Sequence, residues 1–170
     1  MKTPYNEIVN IASIGSQTNP ISLNEILRKA NDEQLTPAAQ NKERVLFLGI
    51  DVQQDFMDNG ALGVPGAHGD VERMTQFIYN NMDNITNIAV SIDTHTPHQI
   101  FHPCWWIDEN GNNPAPYTPI TLADLDSGKY KAVIYPRQSR DYVEHLEKDG
   151  KKTLCVWSYH CLQGTSGAAF

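Results

Sequence analysis

The tripeptide Asp93-Thr94-His95 sets a carboxylate and an imidazole two residues apart at the end of an apolar run, where both can project from one turn toward a single ion. Such oxygen and nitrogen donors suit zinc, iron or manganese. Taken alone the spacing is a weak signal, because an aspartate that caps a turn beside an exposed histidine has the same sequence. His160 strengthens it. This histidine follows a second run, Lys152-Thr-Leu-Cys-Val-Trp157, and in a parallel sheet it arrives at the edge that carries Asp93 and His95. Three protein ligands with open positions describe a catalytic rather than a structural site. Asp51 adds a further carboxylate, at the end of Arg44-Val-Leu-Phe-Leu-Gly-Ile-Asp51.

The elements that must position these groups follow from the pattern around them. The run ending in Asp51 is short and apolar on both faces, as expected of a strand buried inside a parallel sheet. After the loop Asn59-Gly-Ala-Leu-Gly-Val-Pro-Gly66, Asp70 is placed to cap a helix with an apolar face of Val71, Met74, Phe77, Ile78 and Ile85. Asn87-Ile-Ala-Val-Ser-Ile-Asp93 reads as the next strand, so one βαβ unit delivers two carboxylates to the sheet edge where ligands bind in open α/β folds. The proline-rich stretch from residue 94 to about 129 is long for a connection and reads as a functional or covering loop. Within it Trp105 and Trp106 either cover a pocket or pin the loop to the domain. A helix over residues 139–149 and a third strand over 152–157 complete the pattern.

Residues 1–40 form an extension rich in Asn, Gln, Ser, Thr and Pro, expected to pack on the domain or on a partner. Its one helical island starts at an S-x-x-E capping box, Ser22 with Glu25, followed by Leu23, Ile26, Leu27 and Ala30 at helical spacing. Residues 41–170 form the domain proper. With 13 Lys and Arg against 20 Asp and Glu, the formal net charge is −7, and no basic cluster is present to track phosphates, so nucleic acid is not an expected partner. Nothing approaches the ~18 to 20 consecutive apolar residues of a membrane span. Three cysteines, Cys104, Cys155 and Cys161, cannot all pair and lack metal-ribbon spacing, which fits a reduced, cytoplasmic setting.

Four ordered motifs carry a resemblance. Asp51-Val-Gln-Gln-Asp-Phe56, Gly60-Ala-Leu-Gly-Val-Pro-Gly66, Asp93-Thr-His95-Thr-Pro97 and Trp157-Ser-Tyr-His160-Cys161-Leu-Gln-Gly164-Thr-Ser-Gly167 resemble the nicotinamidase/isochorismatase-like hydrolases over residues 45–170. The resemblance implies a doubly wound, Rossmann-like parallel sheet with helices on both faces, its C-terminal part missing here. It implies that Asp51 matches the base that takes the proton of a cysteine nucleophile. Asp93, His95 and His160 match the ligands of a divalent metal, zinc first, with iron or manganese as alternatives. Phe56 and Trp157 match aromatic walls against a planar substrate. His98 or His102 matches the loop position from which some members draw an extra ligand.

The activity this implies is hydrolysis of a small carboxamide, nicotinamide to nicotinate and ammonia, through a covalent thioester. A homo-oligomer is the expected assembly. The chain departs from the family in carrying Ser158 where a proline is common, and in its long 94–129 stretch. It also ends six residues after Gly164, before the family's lysine and nucleophilic cysteine, so this chain alone is expected to be inactive. Cys161 matches a motif cysteine, not the nucleophile. An isochorismatase-type vinyl-ether hydrolase and a non-catalytic metal-binding module are the alternatives.

Overall fold

A computed structural model of the chain describes residues 1–16 and 18–170. The chain is mixed α/β and divides into two compact units, Met1–Asp93 with Phe170, and Thr94–Ala169. The expected boundary at residue 40 falls inside the first of them.

The first unit is organised by one βαβ crossover. Strand β1 (Leu46–Gly49) pairs in parallel with β2 (Asn87–Val90), Leu46 opposite Asn87 and Gly49 opposite Val90. Before them lies helix α1 (Leu23–Glu33), and between them runs α2 (Ala67–Asn80). The α2 helix starts four residues earlier than the sequence indicates, and its cap comes from elsewhere. Gly66, at φ 88°, makes the turn into the helix, a conformation glycine adopts without a Cβ penalty. The carboxylate that satisfies the free amides there belongs to Asp58, which accepts from Gly66 N–H at 2.6 Å and His68 N–H at 2.9 Å. Asp70, read as the cap, sits inside the first turn and pairs with Arg73.

The α1 cap is half of the expected box. Ser22 Oγ accepts from Glu25 N–H at 3.1 Å, while the Glu25 carboxylate turns to Lys29, four residues on, at 3.1 Å. At the other end of α1, Glu33 is buried and its carboxylate accepts from the amides of Lys2 and Thr3 at 2.7 and 2.6 Å. Tyr79 Oη donates to Thr3 O at 2.8 Å, so the start of the chain is held against both helices.

Two expectations about the sheet are corrected. The expected doubly wound parallel sheet is not shown: each sheet among the described residues has two strands. The β1 strand is accordingly not buried on both faces. Phe47 packs on Phe77 of α2 at 6.0 Å between ring centroids, and Gly49 is buried, but Leu46, Leu48 and Ile50 are more than half exposed.

The second unit builds part of its core from residues that the sequence pattern assigns to a loop. Strand β3 (Trp106–Asp108) pairs antiparallel with β5 (Tyr130–Ala132), and β4 (Pro119–Ile120) pairs antiparallel with β6 (Leu154–Cys155). Trp106, Ile120, Val143, Leu154 and Val156 form one buried cluster, where each fully buried aliphatic side chain contributes about 1.5 to 3 kcal/mol. Trp106 Nε1–H donates to Ile100 O at 2.6 Å and Trp105 Nε1–H to Ser139 Oγ at 2.9 Å, so both tryptophans pin this stretch down. The third strand is thus shorter than expected and antiparallel, because its partner lies in residues 119–120 rather than in the β1 sheet.

Helix α3 (Leu122–Asp126) carries a complete capping box, Thr121 with Asp124. Helix α4 (Pro136–Lys148) begins three residues before the expected start, with Pro136 at its first position, where a missing N–H costs nothing. No helix among the described residues is long and apolar enough to cross a membrane.

Candidate metal centre

Asp93 follows β2 and is held by its backbone. Gln53, almost fully buried, accepts from Asp93 N–H through Oε1 at 2.6 Å and donates from Nε2 to Asp93 O at 2.9 Å. An amide side chain is suited to this, since it offers an acceptor and a donor side by side. The sequence gives no signal for Gln53 beyond its place in the motif after Asp51; its role appears only when residues 53 and 93 meet.

His95 lies two peptide bonds beyond Asp93 and is stitched to the segment that carries His160. His95 N–H donates to Cys161 O, and Gln163 N–H to His95 O, both at 2.9 Å, a one-residue parallel bridge opposite Leu162. The rings of His95 and His160 consequently stand edge to face, 4.8 Å between centroids. His160 is buried, and its Nδ1 lies 2.8 Å from Ser158 O. A carbonyl can only accept, so Nδ1 carries the proton and Nε2 keeps the lone pair that a metal uses. Cys161 next to it is at φ 46°, a left-handed conformation that costs a non-glycine residue energy and tends to persist where surrounding contacts impose it.

One oxygen of Asp93 and one nitrogen each of His95 and His160 lie within 4.8 Å of one another. An ion at about 2.0 to 2.2 Å from each ligand spans at most about 4.4 Å between opposite ligand atoms, so the group fits a divalent cation after a contraction of a few tenths of an ångström. One carboxylate and two imidazoles form a borderline donor set that suits zinc, iron or manganese.

His98 is exposed. His102 is fully buried, with Nδ1 at 3.1 and 3.0 Å from Thr96 O and Pro97 O, and its Nε2 has no hydrogen-bond partner among the described residues. Its ring stands 5.8 Å from that of His95 and 6.0 Å from that of His160, outside the ligand group but packed against it. Burial pushes its imidazolium pKa down, against the raising effect of the Pro97 carbonyl, so the ring is held neutral.

Asp51 leaves β1 at φ 57°, its N–H donating to Ser91 Oγ at 3.1 Å. It lines an apolar cleft of about 340 Å³ with Phe56, Met57, Ala67, Val71 and Met74. Gly60 allows the loop beside this cleft to close, since a Cβ there would lie 2.2 Å from Asp55 O. Trp157, in the second unit, meets Tyr117 edge to face at 6.0 Å. All three cysteines are free thiols. Cys161 is fully buried with Sγ toward Gly167 O, Cys155 Sγ points to Val156 O, and Cys104 Sγ donates to Pro97 O at 3.1 Å.

No protein-family model, no curated protein and no solved structure matches the chain.

Proposed function

We propose that the chain carries the metal site and the carboxylate base of a hydrolase acting on a small carboxamide, with nicotinamide the first substrate to test. The observation that carries this reading is the convergence of Asp93, His95 and His160 on one ion-sized space. In this reading these three side chains hold a divalent cation, zinc first. A cation so held supplies charge stabilisation at an oxygen and lowers the pKa of water at neutral pH.

The remaining roles fall to groups on the chain. The Asp51 carboxylate accepts a proton, from a cleft whose walls are apolar apart from Asp51 and Asp70. Phe56 lines that cleft and offers a flat face to a planar ring. Gln53 holds the Asp93 backbone and fixes where its carboxylate starts.

The three thiols favour a second reading beside the first. Cys161 is fully buried, and each cysteine Sγ faces a backbone carbonyl, which supports a vinyl-ether hydrolase of the isochorismatase type, or a metal-binding module without turnover, since neither needs a free thiolate. Titration with zinc, followed by assays against nicotinamide and isochorismate, separates the three. Stoichiometric zinc with ammonia release supports the amidase, zinc with turnover of isochorismate only supports the second, and zinc with neither supports the third. Absence of zinc binding rejects all of them.

A further inference from the structure

We propose that the turn over residues 162–165 is the positioning device of the candidate metal centre, its Gly164 and Thr165 holding the His160 segment against His95 without touching the ion. The inference rests on the metal-binding reading above and adds to it two residues outside the ligand group. The link it concerns is short. His95 meets the other segment in a one-residue bridge, with His95 N–H donating to Cys161 O and Gln163 N–H to His95 O, both at 2.9 Å. The strand that leads to His160 pairs with residues 119–120 instead, so the register of that sheet does not set where His160 stands relative to His95. Two hydrogen bonds of modest net worth do not fix such a bridge by themselves. The chain beside them must hold them in line.

The turn does this on the His160 side. Thr165 N–H donates to Leu162 O at 3.0 Å, and Thr165 Oγ1 donates to the same carbonyl at 2.7 Å. These bonds close a four-residue turn whose third residue, Gly164, is at φ 81°, the left-handed value that such a turn needs at that place. Its second residue, Gln163, then presents its N–H to His95 O. Packing gives no other reason for the pair. Gly164 and Thr165 are exposed, and a Cβ at Gly164 would meet nothing within 4 Å. A side chain placed at 164 therefore acts through backbone conformation alone, which separates the turn from the ligands by mutation.

The consequence falls on the ion. The ligand atoms lie within 4.8 Å of one another, slightly wider than a cation at about 2.0 to 2.2 Å from each would set them. A loosened turn lets the His160 segment drift from His95 and lowers the fraction of chains ready to bind. Apparent affinity falls in proportion to that fraction.

The test is zinc affinity by isothermal titration in four variants of the full chain, with cobalt(II) absorption as the signature of ligand geometry. Gly164→Ala is strained at a positive φ, and Thr165→Val loses the hydroxyl. Each should weaken zinc about tenfold, the low end of the range for outer partners of a metal site, change the cobalt spectrum and speed exchange of the His95 amide. Gly164→Asn tolerates a left-handed backbone and Thr165→Ser keeps the hydroxyl, so both should bind zinc nearly as the wild type does. Where Gly164→Ala does not fold, the two Thr165 variants decide the matter. A turn that serves stability alone would lower the melting temperature of Gly164→Ala and Thr165→Val but leave their zinc affinity and cobalt spectrum at wild-type values. That result, or equal losses in Gly164→Asn and Gly164→Ala, would overturn this inference and leave the metal centre standing. A wild-type chain that binds no zinc would overturn both.

Discussion

His160 donates its Nδ1–H to the carbonyl of Ser158, two residues before it, at 2.8 Å. That bond fixes the tautomer of a buried ring, leaves Nε2 as the basic nitrogen, and prevents the ring from turning over without losing a hydrogen bond. Metal-ligating histidines commonly use such a partner for their second nitrogen.

Removing one ligand should therefore cost more than removing a neighbour. Isothermal titration with zinc should show one site per chain, and His160→Ala or Asp93→Ala should weaken it beyond the roughly 10- to 100-fold that loss of an outer partner costs. His102→Ala, which removes a buried ring packed against both histidines, should fall within that 10- to 100-fold range. His98→Ala, at an exposed position, should leave affinity unchanged. Equal losses for His98 and His160 would mean that the ion sits elsewhere.

Gln53 gives a second expectation. In Gln53→Ala the Asp93 N–H and C=O each lose a partner given by Gln53, and an unsatisfied buried group costs about 1 to 3 kcal/mol. Chemical denaturation should show a loss of that order, together with weaker zinc binding. Gln53→Glu keeps the acceptor for Asp93 N–H but has no donor for Asp93 O, so it should recover part of the loss. A Gln53→Ala variant with wild-type stability and wild-type zinc affinity would remove Gln53 from the site.

Glu33 ties stability to pH at the low end. Hydrogen bonds from the Thr3 side chain and from the Lys2 and Thr3 amides lower its pKa from 4.5 to about 2. A carboxyl whose folded pKa is depressed stabilises the fold fully above its ordinary value, and the contribution is lost as pH falls through the folded one. Melting temperature should thus fall between about pH 4.5 and pH 2 more steeply in the wild type than in Glu33→Gln, and the two should differ most at neutral pH. Parallel melting curves across that window would show that Glu33 does not hold the start of the chain.

The parts of this picture legible in the sequence are those whose cause is local. The parallel β1 and β2 pair and the helix between them follow from two short apolar runs flanking a 3.6-residue pattern. Asp93 and His95 are two residues apart, so their proximity needs no knowledge of the fold. The α2 cap was not legible, because Asp58 reaches Gly66 and His68 across a loop while Asp70 stands where a local cap belongs. The role of Gln53 depends on a contact forty residues away. The 94–129 stretch looks like a loop because its prolines break every period, yet it supplies Trp106 and Ile120 to a core completed by Val143, Leu154 and Val156. Since Ile120 pairs with Leu154, the strand before His160 runs antiparallel to residues 119–120. His160 reaches His95 through the bridge at Leu162 instead of through the sheet edge that the apolar runs indicate.

The last expectation concerns turnover by the chain of residues 1–170. A thiol attacks an amide as its thiolate, which requires a partner to take the proton and an accessible sulfur. Cys161, the tempting candidate beside His160, has no exposed surface, and its Sγ lies 3.9 Å from Gly167 O, an acceptor that stabilises the protonated thiol. Cys155 Sγ, in a strand, lies 3.7 Å from Val156 O, and Cys104 Sγ donates to Pro97 O at 3.1 Å. A carbonyl cannot take a proton outright, so none of these three contacts turns a thiol into a thiolate. Ammonia release from nicotinamide should accordingly run far below ordinary enzyme rates of roughly 1 to 10³ per second, and Cys161→Ala should leave whatever remains unchanged. Turnover in the ordinary range that disappears in Cys161→Ala would show that Cys161 is the nucleophile and that the buried thiol becomes exposed when substrate binds.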